Sequence, residues 1–222
     1  MIKVLLFDLD GTLTESGEGI IRSVQYALDK FGIVENDMEK LRRFVGPPLV
    51  DSFMKHYGFT HENALKAVDI YRERFGKVGI FENALYPGAD QMLAKLKEAG
   101  FMLAVASSKP EHYVQQILEY FKISEYFDEV VGATMDEKRT SKTEVLEEVL
   151  RRLELHEQKE EILMVGDTEL DIRGAKDHGI ESVAVTYGYG DLEKMRAEEP
   201  LKIVDSVEEL EKYLISTVRR QQ

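Results

Sequence analysis

Short apolar runs punctuate the chain, and between them apolar residues recur at helical spacing. The runs cover 4–9, 102–106, 129–132, 162–165 and 182–185, with a sixth at 203–204. Most are nearly continuous and lack the alternation of a half-exposed strand, as parallel strands covered by helices on both faces require. Over 111–121, Val114, Ile117, Leu118 and Phe121 share one helical face. Over 143–153, Val145, Leu146, Val149, Leu150 and Leu153 form a second stripe. Strand–helix alternation of this kind predicts an α/β fold, a doubly wound parallel sheet with right-handed crossovers.

One stretch breaks the alternation. From about residue 15 to residue 82 only helical periodicity is present, with Ile20, Ile21, Val24, Leu28 and Phe31 on one stripe and Ala64, Val68, Tyr71 and Phe75 on another. Gly32, the Gly46-Pro47-Pro48 run and Gly58 separate these helices, because glycine and proline interrupt helical stretches. The pattern predicts an all-helical insert over 15–82 within a core made of 1–14 and 83–222. Its two crossings fall near 14–17 and 82–88, where Tyr86-Pro87-Gly88 reads as a turn. Glycine in or beside both crossings suits a hinge. The closing Arg219-Arg220-Gln221-Gln222 reads as a frayed end.

Composition narrows the function. With 43% hydrophobic and 32% charged residues in 222, the chain has the make-up of a globular protein that buries a core. No run approaches the ~18 apolar residues of a membrane span. The opening residues are too short and too acidic a stretch for a signal peptide, so a cytoplasmic protein is expected. A net charge of −13 repels a phosphate backbone, which argues against a nucleic-acid partner. An anionic substrate would need a metal or a few placed cations. The absence of cysteine removes thiolate catalysis, disulfides and cysteine-ligated metals. The five histidines are scattered, without a His-Glu-x-x-His pair. No heptad run is present, so a monomer is the default expectation, with a dimer open.

The chemistry gathers at the strand ends, where ligands bind in open α/β sheets. The first run ends Phe7-Asp8-Leu9-Asp10-Gly11-Thr12, and residues two apart on an extended chain face the same side. Two carboxylates beside a buried strand repel and lose hydration unless a cation holds them. Carboxylate, carbonyl and water ligands suit a hard divalent metal. A second acidic cluster, Gly166-Asp167-Thr168-Glu169-Leu170-Asp171, follows the fourth run. There Asp171 is placed to cap the next helix, whereas Asp167 is not. Ser107 and Ser108 follow the second run, where a hydroxyl and free N–H groups either cap a helix or cradle a phosphate. Lys142 opens a helix, where the macrodipole disfavours a cation and an anion alongside would explain it. Arg139 lies three residues earlier, either assisting that anion or decorating the surface.

In order and spacing these residues resemble the phosphatases of the haloacid dehalogenase superfamily. Asp8-Leu9-Asp10-Gly11-Thr12-Leu13 is similar to the first family motif, Ser107 to the second, Lys142 to the third and the Gly166–Asp171 segment to the fourth. The helical insert sits where that family carries its cap. The resemblance implies a Mg²⁺-dependent phosphatase working through an aspartyl-phosphate, with Asp8 as nucleophile and Asp10 as general acid and base. It implies Mg²⁺ held by the carboxylates of Asp8 and Asp167 and the backbone carbonyl of Asp10, with Asp171 in support. Ser107 and Lys142 would bind phosphoryl oxygens, with Gly11, Thr12, Ser108 and Arg139 around them and Arg43 as a cap-borne substrate contact. The second aspartate argues against the dehalogenases of the superfamily. Phosphonate cleavage would need a cap lysine, for which Lys55 is a candidate that nothing singles out. A phosphomutase shares all four motifs, and a non-catalytic phosphate binder is the remaining alternative.

The substrate implied is a small phosphorylated metabolite. The 41–49 segment, Leu-Arg-Arg-Phe-Val-Gly-Pro-Pro-Leu, is similar to phosphoglycolate phosphatases. Ser107-Ser108-Lys109 departs from the Thr-Asn-Lys usual in that group, and 134–143 lacks its Lys-Pro pair. The Asp136, Arg139, Ser141-Lys142 pattern is closer to a 5′-nucleotidase-like branch.

Overall fold

The first apolar run becomes the middle of a sheet because both of its faces are apolar. The computed structural model describes residues 1–219; of the end expected to fray, 220–222 lie outside the described residues. Its elements are β1 (Val4–Phe7), β2 (Thr14–Glu15), α1 (Gly17–Lys30), α2 (Met38–Arg42), α3 (Leu49–Tyr57), α4 (His61–Phe75), β3 (Ala84–Leu85) and α5 (Ala89–Glu98). They continue as β4 (Met102–Pro110), α6 (Glu111–Tyr120), β5 (Glu129–Ala133), α7 (Lys142–Arg152), β6 (Ile162–Gly166) and α8 (Glu169–Asp177). The last are β7 (Glu181–Val185), α9 (Leu192–Ala197), β8 (Lys202–Val204) and α10 (Val207–Arg219). Six strands form one sheet in the order β5-β4-β1-β6-β7-β8. Every neighbouring pair in it is parallel, as the continuous runs predict.

Along β1 the side chains alternate between two cores. Leu5 and Phe7 join a large cluster that runs through Leu9 and Leu13 to Val24, Leu41, Phe44, Phe53, Val68 and Phe75 of the helical layer. Val4 and Leu6 face the other way, onto Val145, Leu146 and Val149 of α7. Two ends differ from expectation. The first strand stops at Phe7, because Gly11 adopts a left-handed φ of 87° and turns the chain back, its N–H donating to the Thr14 carbonyl at 2.8 Å. β4 runs on to Pro110 through a register shift after Ala106.

Between β2 and β3 the structure is helical. Both crossings pair with each other as a short antiparallel ladder, Thr14 opposite Leu85 and Glu15 opposite Ala84. At two residues apiece these strands are too short to leave a periodicity in the sequence. Within the helical layer α1 lies almost in van der Waals contact with the turn at Gly79. A Cβ on Gly19 would stand 1.9 Å from the Gly79 carbonyl oxygen, a clash with backbone that no side-chain rotation relieves. Gly19→Ala is expected to cost about 1–3 kcal/mol as an overpacked contact, read from the urea midpoint. Among the described residues no helix is long and apolar enough to cross a membrane.

Candidate active site

Parallel strands deliver their carboxyl ends to one edge of the sheet, and the acids predicted there converge on it. Asp8 and Asp10 follow β1, Ser107 to Lys109 close β4, Lys142 is the first residue of α7, and Asp167 and Asp171 follow β6. Lys142 is held by a capping box in which the Ser141 hydroxyl accepts from the Glu144 N–H and the Glu144 carboxylate accepts from the backbone N–H of Ser141. Its Nζ lies 2.7 Å from Asp8 Oδ1, 2.8 Å from Asp171 Oδ1 and 2.6 Å from the Ala106 carbonyl oxygen. The cation therefore sits where a helix N-terminus alone would disfavour it, balanced by two carboxylates.

Asp8, Asp167 and Asp171 are all buried and each offers a carboxylate oxygen within 4.8 Å of the others. One lysine against three carboxylates leaves the cluster with excess negative charge in a poorly hydrated place. Burial pushes the Asp8 carboxyl up to about 6, against the pull of Lys142 and with help from Asp171 and Asp10. Burial, then Asp171 and Asp8, push Asp167 well above the usual carboxylate range. Burial alone would loosen the Lys142 proton, but Asp171 and Asp8 outweigh it and raise its pKa. Such a donor set fits a hard divalent cation, which would supply the missing positive charge.

The backbone around these acids leaves no room for side chains. A Cβ on Gly11 would stand 2.1 Å from Asp167 Oδ2, one on Gly188 2.3 Å from the same oxygen, and one on Gly166 2.3 Å from the Asp171 Cβ. Gly11→Ala also meets an unfavourable φ of 87°. It is expected to push Asp167 aside and cut turnover by about 10²-fold, the cost of misplacement near 1 Å, measured as phosphate release.

Asp171 caps the next helix and also meets Lys142. Its Oδ2 accepts from the N–H and the hydroxyl of Thr168 at 3.0 and 2.7 Å, capping α8, while its Oδ1 meets Lys142. Asp167 is fixed by the Tyr189 N–H at 2.8 Å and, more loosely, by the Thr12 hydroxyl at 3.4 Å. Asp10 stands apart from the three carboxylates. Its Oδ2 pairs with Lys109 Nζ at 2.8 Å, and its buried Oδ1 has no hydrogen-bond partner. Ser107 is buried, its Oγ accepting from the Lys109 N–H at 3.3 Å. Ser108 does not cap a helix, since Pro110 holds the N-cap of α6; it lines the neighbouring cleft instead.

Two predicted residues are not brought to the cluster. Arg139 donates through Nε to the Gly132 carbonyl at 2.9 Å and pairs with Glu111 and Glu148, so its charge is already matched in a network that pins the loop before α7. Arg43 is exposed at the end of α2 and does not line the cleft. Lys55 is likewise exposed on α3. Conversely, Lys109 and Tyr189 were not predicted. Lys109 had a signal, a charge directly after two strand-end serines; its Nζ also lies 4.6 Å from the Phe75 ring centroid, on the helical layer. Tyr189 had none, because its role depends on a fold that returns it to Asp167 from 22 residues away. Its hydroxyl also accepts from the Gly17 N–H at 2.7 Å, tying the acidic cluster to the first residue of α1.

A cleft opens from Asp10, Ser108 and Lys109 between the sheet edge and the helical layer. Phe44, Tyr71, Phe75 and Tyr113 line it. Its free interior is about 60 Å³, room for a few waters. Buried carboxylates beside a lysine, with a further acid facing a cleft, can attack an electropositive centre and exchange protons with a leaving group.

Comparison with known proteins agrees with this chemistry. Residues 5–185 match the family described as haloacid dehalogenase-like hydrolase. The chain is 41% identical to a 5′-nucleotidase of Pseudomonas aeruginosa over 196 residues, 88% of each chain. It is 31% identical over 218 residues to a phosphoglycolate phosphatase of Vibrio parahaemolyticus, covering 94% of each. A crystal structure of a predicted phosphatase from Clostridium acetobutylicum superposes with a TM-score of 0.94 at 44% identity, over 97% of this chain and 99% of that one. With the acids of the first and fourth motifs gathered around Lys142 and the match extending over most of its length, the chain belongs to the haloacid dehalogenase-like hydrolases.

Proposed function

We propose that the protein hydrolyses a small phosphomonoester in the cytoplasm, through a phosphoryl group carried transiently on Asp8. The observation that carries this reading is Lys142 bridging Asp8 and Asp171 while Asp10, two residues on, faces the cleft. One Asp8 carboxylate oxygen attacks phosphorus in line, and the bond from phosphorus to the ester oxygen breaks. Asp10 gives a proton to that leaving oxygen, then takes one from the water that attacks the phospho-aspartate, releasing inorganic phosphate and restoring both residues. Lys142 and Ser107 hold phosphoryl oxygens, and Lys109 orients Asp10. Mg²⁺, held by Asp8, Asp167 and the Asp10 carbonyl with Asp171 in support, would offset charge on the phosphoryl oxygens. Residues 15–82 act as a cap that parts from the core of 1–14 and 83–222 to admit substrate, since the cleft holds only a few waters. Gly11 and Thr12 hold the backbone and carboxylate of this site in place.

The family membership and the phosphatase names of the relatives support hydrolysis; the 5′-nucleotidase and phosphoglycolate phosphatase names support a small metabolite as substrate. The test is phosphate release from p-nitrophenyl phosphate, nucleoside monophosphates, phosphoglycolate and sugar phosphates, with and without Mg²⁺. Mg²⁺-dependent turnover is expected on at least one ester. Isomerisation of a sugar phosphate without release would make it a mutase. Phosphate and metal binding without turnover on any ester would make it a binder.

A further inference from the structure

We propose that the ion pair between Arg72 and Glu137 at the far side of the cleft selects the leaving group, favouring an uncharged, ring-bearing one such as a nucleoside and rejecting one with a second anionic group. The inference rests on the phosphomonoesterase reading above and names the substrate class of that site.

The cleft has two chemically different ends. At one, Asp10 pairs with Lys109 beside the proposed reaction centre. At the other, Arg72 of α4 pairs with Glu137 of the loop between β5 and α7 and donates to the Met135 carbonyl oxygen at 3.3 Å. Both side chains are largely shielded, at 16% and 25% exposure, so the charges are felt more strongly than on an open surface. Between the ends lie aromatic rings. Tyr71 and Phe75 stack with centroids 5.2 Å apart, and Tyr113 meets Phe75 edge-on at 5.3 Å. Walls of this kind suit a flat ring in the leaving group.

The pair joins the helical layer to the core across the cleft, whose free interior is about 60 Å³. A leaving group that reaches this end of the cleft lies against Arg72 and Glu137. A neutral polar edge finds both donors and an acceptor there with no net charge to disturb. A second carboxylate or phosphate meets Glu137 directly, and it can use Arg72 only by displacing a partner already in place. That is discrimination by an unfavourable alternative. Glu137 also holds a left-handed φ of 59°, uncommon for a residue with a side chain, so its loop conformation is specifically imposed.

Opposite substitutions separate selection from a merely structural role. The readout is the ratio of kcat/KM for phosphoglycolate to that for a nucleoside 5′-monophosphate, with p-nitrophenyl phosphate run alongside and thermal melts for each variant. The native protein is expected to prefer the nucleotide. Glu137→Gln keeps shape and backbone burden but frees the Arg72 charge, and should raise the ratio about tenfold, roughly 1.4 kcal/mol of relative transition-state binding. Arg72→Gln leaves Glu137 unmatched and should lower it. A native preference for phosphoglycolate, or ratios that stay constant or move the same way in both variants, overturns the proposal. If the native protein turns over no ester, p-nitrophenyl phosphate included, the phosphomonoesterase reading fails first and takes this inference with it.

Discussion

Asp8→Asn is expected to lower phosphate release by at least about 10³-fold and, in the same protein, to raise the melting temperature when divalent cations are chelated. The loss follows from the mechanism proposed above, because an amide of the same shape cannot serve as the carboxylate nucleophile. The gain follows from the charge balance of the cluster. Asp8, Asp167 and Asp171 share one lysine in a buried space, and burial already pushes the Asp8 carboxyl up to about 6. Removing one of the three negative charges relieves both desolvation and repulsion. Lys142 keeps Asp171 at 2.8 Å and the Ala106 carbonyl at 2.6 Å, so it is not stranded. Activity and chelated melts measured together decide the point. Retention of a tenth of native activity would remove Asp8 from the nucleophile role, and a lower chelated melting temperature would show that the Lys142 contact outweighs the repulsion.

The second large effect is a metal stabilisation that grows with pH. For Asp8 the folded carboxyl is raised to about 6 from an ordinary 3.8, so between these values the folded state binds more protons than the unfolded one. Stability of the chelated protein therefore falls as pH rises through that window, by about 3 kcal/mol from this group, with Asp167 acting in the same direction. A divalent cation competes with those protons, and its benefit is greatest once they have left. The Mg²⁺-induced rise in melting temperature is expected to be clearly larger at pH 7.5 than at pH 5, and to shrink in Asp167→Asn. The comparison goes no lower than pH 5 because acids such as Glu35 work in the opposite sense. The Asp37 N–H and Lys40 hold Glu35 down to about 2, so the stability it contributes is lost only in stronger acid. Equal Mg²⁺ shifts at the two pH values, or none, would be evidence against a cation among these carboxylates.

How far the sequence could be read depended on the range of the interactions that carry each feature. The central strands are visible because they are buried on both faces, and every residue of β1 and β6 carries that burial in its own identity, whereas the edge strands β5 and β8 are only partly buried. The Asp8, Asp10 and Asp167 positions are visible for a related reason: an acid directly after an apolar run is a local contradiction that strand-end chemistry resolves. Lys142 stands out likewise, as a cation at the N-terminus of its own helix. Against this, the β2–β3 ladder carries only two residues on each strand.

Side-chain partnerships were another matter. Nothing in the local sequence distinguishes Arg139, spent on Glu111 and Glu148, from Arg72, set across the cleft against Glu137. Both are arginines near a turn of helix or loop, and only packing chooses their acids. The same holds for Asp10, which sequence spacing puts beside Asp8 but which Lys109 draws toward the cleft.

The α/β core with its helical insert and the acids at two strand ends can be read from residue order alone, because hydrophobic periodicity and residue type act over a few positions. It takes the packed chain to bring Asp171 and Asp8 onto one lysine, to return Tyr189 to Asp167, and to end the cleft in a matched pair of charges. Those contacts join residues up to 134 positions apart, and at such separations the partner is chosen by how the layers pack, which no local pattern records.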